Sequence, residues 1–293
     1  AQVVAAARYD APVTIVDQAW DAVRAGRAIV ERLADDPRAH YGISTGFGGL
    51  ATQGIPAEDR ARLQRALIAS HAAGMAASVT AHDLGAKAVT VNVSDIAAMA
   101  ASPRYALVAV GMSDDIEAAW VMELYGGMRD ACAEYALSLV GGDTNRADLV
   151  VLSVAVVGEV APGRALVRSG ARVGDRVAVT GWLGAAAGGL ALSRLQAGRA
   201  AEALSQPWGR ALIQALERPV ARLGEAQVLA RAGASAMMDL SDGLTKDLSR
   251  LCDASGVGAR LDLGAVPVSG PLASGAALLG VDARSLALSG GED

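Results

Sequence analysis

The chain has 293 residues, enough for two domains or for one domain and an added segment. Apolar residues make up 52% and charged residues 19%, which excludes bulk disorder, and a single phenylalanine, Phe47, leaves the core to Ala, Val and Leu. A formal charge of −5 without any basic run argues against a general nucleic-acid binder and fits carboxylates that hold a cation.

In chain order, helical spacing of Val23, Val30 and Leu33 predicts a helix over 15–38, and Leu63, Leu67 and Ile68 predict another over 57–73. Between them Tyr41-Gly-Ile-Ser-Thr-Gly-Phe-Gly-Gly49 forms a glycine-dense loop. From residue 88 strands and helices are expected to alternate. Val89, Val91 and Val93 alternate with Thr90 and Asn92 as in a strand. Ser94 and Asp95 would then open a short helix that stops before Pro103. Tyr105–Val110 reads as a strand, Asp114–Tyr135 as a long helix, and Leu137–Val140 as a strand ending at Gly141-Gly142-Asp143. Leu149–Gly158 and Arg176–Thr180 read as further strands, the latter turning through Gly181-Trp-Leu-Gly184 into a helix. Met237–Leu240 reads as a strand feeding a helix from Gly243. This pattern predicts an α/β or α+β domain, divided into sub-domains near residue 148.

The longest apolar run, Leu149–Gly158, is too short to span a bilayer, and no secretory signal opens the chain. Cys132 and Cys252 lie far apart in apolar helix-like stretches, as buried reduced thiols of a cytoplasmic protein would.

Asp95, Asp143, Asp239 and Asp242 all fall at expected strand ends or strand-to-helix turns, among small residues. Ligands of sheet-based domains gather outside strand ends. Carboxylates converging there without His or Cys suit Mg²⁺, a hard cation that bridges phosphates. The competing reading is that Ser94, Asp95, Ser241 and Asp242 cap helices. Gly141 and Gly142 beside Asp143 would let backbone amides approach a phosphate.

Residues 80–293 resemble the central part of thiamine-monophosphate kinase, of the ATP-binding superfamily that includes aminoimidazole ribonucleotide synthetase. The resemblance is carried by Val91-Asn-Val-Ser-Asp-Ile-Ala-Ala-Met99, Leu139-Val-Gly-Gly-Asp-Thr-Asn-Arg146, Leu166-Val-Arg-Ser-Gly-Ala-Arg-Val-Gly-Asp175, Met238-Asp-Leu-Ser-Asp-Gly-Leu244 and Leu288-Ser-Gly-Gly-Glu-Asp293. It implies transfer of the γ-phosphoryl group of ATP to thiamine monophosphate, giving thiamine diphosphate, with several Mg²⁺ ions. By the same resemblance Asp95, Asp143, Asp239 and Asp242 are magnesium ligands. Gly142, Asp143, Arg168 and Ser241 belong to the ATP site, and Glu292 contacts thiamine; a homodimer is the expected assembly. For Arg168 a surface ion pair with Asp175 is the plainer alternative.

Residues 1–79 resemble instead the amino-terminal part of histidine ammonia-lyase, through Tyr41-Gly-Ile-Ser-Thr-Gly-Phe-Gly48 and Leu63-Gln-Arg-Ala-Leu-Ile-Ala-Ser-His-Ala-Ala-Gly74. The resemblance implies an acid–base role for Tyr41 and a substrate-pocket place for His71, although a histidine on an Ala-rich helix is more often packed or at the surface. Ala254-Ser-Gly256 and Ala273-Ser-Gly275 spell the triad from which lyases build their prosthetic group, but both fall in the kinase-like pattern and are expected as loops. The resulting division is a helical segment over 1–79, a partial ATP/Mg²⁺-binding domain over 80–148 and a truncated carboxy-terminal kinase domain over 149–293. The kinase's amino-terminal metal and substrate motifs do not precede Asp83, so the expected kinase activity is an impaired one; the alternatives are a non-catalytic fusion remnant and a histidine ammonia-lyase, the latter lacking its prosthetic-group segment.

Overall fold

The computed structural model describes residues 79–291. By contact the chain divides into two compact units, Ala1–Ala73 and Gly74–Asp293, and the described residues belong to the second. The expected helices over 15–38 and 57–73, the loop Tyr41–Gly49, and Tyr41, His71 and Glu292 lie outside the described residues.

The first element corrects the sequence reading. Residues 88–93 are not a strand but the middle of one helix, α1 (Ala81–Ala98), which also contains Ser94 and Asp95. Its buried residues Ala81, Gly85, Ala86, Val89, Thr90, Val93 and Ala97 recur at three- and four-residue spacing. Three valines at period two satisfy a strand template locally, but Val89 and Val93 are also four apart and both are fully buried. Thr80 caps the helix, its hydroxyl accepting from the amide of Asp83 at 3.0 Å.

β1 (Ser102–Met112) follows, then α2 (Ala118–Glu134), β2 (Ser138–Arg146) and β3 (Val151–Glu159). They form a three-stranded sheet in the order β2-β1-β3, with β2 parallel and β3 antiparallel to β1. The expected strand end at Gly141-Gly142-Asp143 is not one: β2 runs on to Arg146, and Asp143 pairs with Ala109 in mid-strand. Ala106, Val108 and Val110 of β1 face a core made with Val89, Val93, Leu124 and Met128. The close approach of α1 and α2 rests on glycine, because a Cβ at Gly127 would fall on the His82 carbonyl oxygen and one at Gly85 on that of Leu124. Among the described residues the other sheet face is uncovered, with Tyr105, Leu107 and Val157 all about half exposed.

Beyond the sheet come α3 (Ala185–Ser193), α4 (Ala197–Ser205), α5 (Pro207–Glu217), α6 (Leu223–Arg231), α7 (Leu244–Ser255), α8 (Gly270–Leu279) and α9 (Ala283–Ser289). Leu192, Leu212, Leu272 and Leu279 form their main core. This half is tied to α1 and its surroundings by Lys87 Nζ donating to the Leu216 carbonyl (2.8 Å) and by the Ala221 amide donating to the Tyr135 hydroxyl (3.1 Å).

The expected strands Arg176–Thr180 and Met237–Leu240 carry no ladder among the described residues. Strand identity is conferred by a pairing partner, and their apolar alternation supplies only half of that condition. The Gly181–Gly184 turn is as expected, with both glycines at positive φ and α3 starting directly after it. The two Ala-Ser-Gly triads are not loops: Ala273–Gly275 lies inside α8, and Ser255 is the last residue of α7. Cys132 and Cys252 are buried free thiols. Among the described residues no helix is long and apolar enough to cross a membrane.

Candidate active site

Three segments meet at the carboxy-terminal end of α1. The Leu166 amide donates to the Met99 carbonyl just past that helix (3.1 Å), and the Met237 amide donates to the Val167 carbonyl (3.3 Å). These two bonds bring Asp95, Arg168 and Asp239 into one neighbourhood. Asp95 projects from α1 rather than from a strand end. Asp239 lies on the irregular segment before α7 and lines a cleft of about 410 Å³, together with Ser94, Thr180 and Arg222.

The electrostatics of this neighbourhood are unusual. Burial raises the pKa of Asp95, and the charge of Arg168 opposes the rise. Asp239 is pushed up to about 6, first by burial, then by the negative charge of Asp95, with a smaller push from Asp247 and relief from Arg168. Two carboxylates therefore repel each other in a partly dry site beside a single exposed guanidinium. Oxygen donors with surplus negative charge fit a hard divalent cation, and Mg²⁺ characteristically uses one or two carboxylates and takes its other oxygens from phosphates and water. Asp95 and Asp239 thus have the chemistry that could hold such an ion.

The other two aspartates are placed differently. Asp242 is bound by Arg250 and by Lys246, and although burial alone would raise its pKa, these hydrogen bonds and charges hold it below the usual carboxylate range. Asp143 is exposed on β2, accepting from the Thr144 amide and the Asn145 side chain at 2.9 Å each. Gly142 precedes it where a Cβ would fall on the Val108 carbonyl oxygen, so close strand packing alone requires a glycine there. Among the described residues no three His, Cys, Asp or Glu side chains converge as a metal-holding group.

The capping reading of Ser94, Asp95, Ser241 and Asp242 is corrected as well. Ser94 and Asp95 are inside α1, and the N-cap of α7 is Gly243, at φ 106°, with no side-chain cap. The end of that helix is organised by a residue the sequence reading passed over. Asp247 is fully buried and accepts from the amides of Asp242 (2.9 Å) and Gly243 (3.1 Å) and from Arg250 (3.0 Å). The signal was present, since a carboxylate in the apolar stripe Leu244, Leu248, Leu251 needs internal donors. The plainer alternative for Arg168 also fails: Asp175 bonds instead with Ser235 and with the Arg172 amide.

Residues 60–160 match the family "AIR synthase related protein, N-terminal domain" and residues 172–285 its "C-terminal domain"; residues 1–103 match "Aromatic amino acid lyase". The thiamine-monophosphate kinase of Escherichia coli strain K12 is 40% identical over 213 residues, which cover 72% of this chain and 62% of that protein. The crystal structure of thiamine monophosphate kinase from Aquifex aeolicus matches at a TM-score of 0.67 and 35% identity, covering 74% of this chain and 70% of that one. A further structure, AaThiL complexed with AMPPCP and TMP, matches at a TM-score of 0.67 and 35% identity, covering 74% and 67%. The fold of residues 79–291 is therefore that of the AIR synthase family, and the chain spans about 62% of the length of the curated relatives it matches first.

Proposed function

The chain belongs to the thiamine-monophosphate kinase family, and from that premise we propose that it transfers the γ-phosphoryl group of ATP to thiamine monophosphate, giving thiamine diphosphate. The observation that carries the proposal is that Asp239, on the wall of a cleft, feels the charges of both Asp95 and Arg168. Phosphoryl transfer asks a protein for positioning and charge neutralisation more than for covalent chemistry. Asp95 and Asp239 would hold Mg²⁺, and the exposed guanidinium of Arg168 would receive phosphate oxygens. A divalent cation held there would supply neutralisation of phosphate charge. Ser241, one residue before Asp242, is assigned to the nucleotide on the strength of the family motifs. Gly142 and Asp143 of β2 are assigned to the same nucleotide, and Asp143 and Asp242 to further Mg²⁺ ions, on the strength of the family motifs. Glu292, next to Gly291, is assigned to thiamine on the same ground. We place the protein in the cytoplasm, in keeping with its two free thiols, and assign it a homodimer that covers the open sheet face.

A second reading, a chain that binds Mg²⁺·nucleotide without turnover, is favoured by the match of residues 1–103 to aromatic amino acid lyase. Tyr41 and His71 would then be vestiges of that lyase. Calorimetric titration with a non-hydrolysable ATP analogue, with and without Mg²⁺, combined with a thiamine monophosphate turnover assay, decides between the two. The kinase reading expects Mg²⁺-dependent binding and turnover, with Asp239→Asn weakening the Mg²⁺-dependent part about tenfold or more. Binding without turnover supports the second reading, and no binding by the folded protein sinks both.

A further inference from the structure

Arg168 belongs to an exposed loop, and binding through it costs the entropy of ordering both loop backbone and side chain, of which a backbone already held removes the first part. The loop is held by one side chain. The Ser255 hydroxyl donates to the Arg168 carbonyl at 2.7 Å and accepts from the amides of Gly170 and Ala171, each at 3.2 Å. A serine hydroxyl offers one donor and two acceptor positions, and all three are spent on this loop. The bond to the Arg168 carbonyl acts on the very residue whose positive charge acts on Asp95 and Asp239. Ser255 sits at the end of α7, just before Gly256, whose left-handed φ of 66° terminates the helix. The same helix begins with the loop organised by Asp247 and preceded by Asp239. One helix thus carries the anchors of both the cationic and the anionic side of the site. Neither glycine nor alanine at 255 could make these bonds, and Gly170 itself leaves no room for a shift, since a Cβ there would fall on the Ser235 carbonyl oxygen.

We propose that Ser255 is a positioning residue that fixes the backbone at Arg168 so that its guanidinium meets the phosphates of the bound nucleotide. The inference rests on the phosphate role given to Arg168 under the proposed function. It is tested with Ser255→Ala, Ser255→Thr, Arg168→Ala and the Ser255→Ala/Arg168→Ala pair. Affinity for a non-hydrolysable ATP analogue with Mg²⁺ is titrated, and amide hydrogen exchange at Gly170 and Ala171 is followed in the ligand-free protein. Ser255→Ala should weaken analogue binding about tenfold, Ser255→Thr should restore most of it, and Ser255→Ala should have no further effect once Arg168 is alanine. The two amides should exchange faster in Ser255→Ala and not in Ser255→Thr. Equal weakening in the Arg168→Ala background, or unchanged binding in Ser255→Ala, would overturn the proposal. Unchanged exchange would overturn the anchoring whether or not nucleotide binds. Absence of analogue binding by the folded wild-type protein would instead sink the nucleotide reading, and the phosphate role of Ser255 with it.

Discussion

Asp239 is the residue whose chemistry is most displaced from its ordinary state. Its carboxyl titrates at about 6 rather than 3.8, because burial and the neighbouring charge of Asp95 oppose ionisation. Between these pH values the folded chain binds more protons than the unfolded one. The contribution of Asp239 to stability is therefore fully present below about pH 4 and is lost as pH rises through 6. Asp239→Asn keeps the shape and removes the charge. Without Mg²⁺ it should stabilise the protein at pH 7–8 by up to about 3 kcal/mol, the gain shrinking to nothing near pH 4. Denaturant unfolding across pH 4–8 checks this, and a gain independent of pH would show that ionisation is not the cause. Asp247 shows the opposite solution to burial. It has no exposed surface, yet two backbone amides and Arg250 satisfy it. Asp242, held by Arg250 and Lys246, is the third case, a carboxylate already neutralised by side chains.

At the scale of elements, the pairing of α1 with α2 places Asp95. The helices approach until backbone meets backbone, at Gly85 against Leu124 and at Gly127 against His82. A methyl group at Gly127 has no flexible neighbour to displace, only a carbonyl. Gly127→Ala should therefore cost at least about 2 kcal/mol in unfolding free energy, despite alanine's better helix propensity. It should also weaken Mg²⁺-dependent nucleotide binding by moving the end of α1 that carries Asp95. Equal or greater stability of Gly127→Ala in a denaturant titration would mean that the two helices can slide apart freely.

At the scale of the whole molecule, the sheet has one face in the core and, among the described residues, one without cover. Tyr105 (53% exposed), Leu107 (48%) and Val157 (57%) form an apolar strip across β1 and β3. Apolar side chains gathered on one open sheet face mark a surface that gains from being covered. The proposed homodimer would bury it, and Leu107→Glu should then convert a dimer into a monomer in sedimentation experiments while leaving far-ultraviolet circular dichroism unchanged. A wild-type monomer at micromolar concentration would refute the assignment.

By itself, the order and spacing of the motifs from Val91 to Asp293 identified the family, and with it the fold. Motifs survive in sequence because each occupies a short stretch whose residues act together. The sequence also located β1, α2, β3, α3 and α7, whose apolar periodicity and flanking Gly or Pro are local properties. Tertiary structure alone decided the rest. Val89 and Val93 satisfy both a strand and a helix pattern, and only α2 and β1, which pack on α1, select the helix. Arg176–Thr180 and Met237–Leu240 read as strands, yet a strand exists only where a partner supplies hydrogen bonds. Of four similar aspartates, two meet at Arg168, one is bound by Arg250 and Lys246, and one stands on an open strand. These outcomes depend on bonds between distant residues, Leu166 to Met99 and Met237 to Val167, which no local pattern encodes.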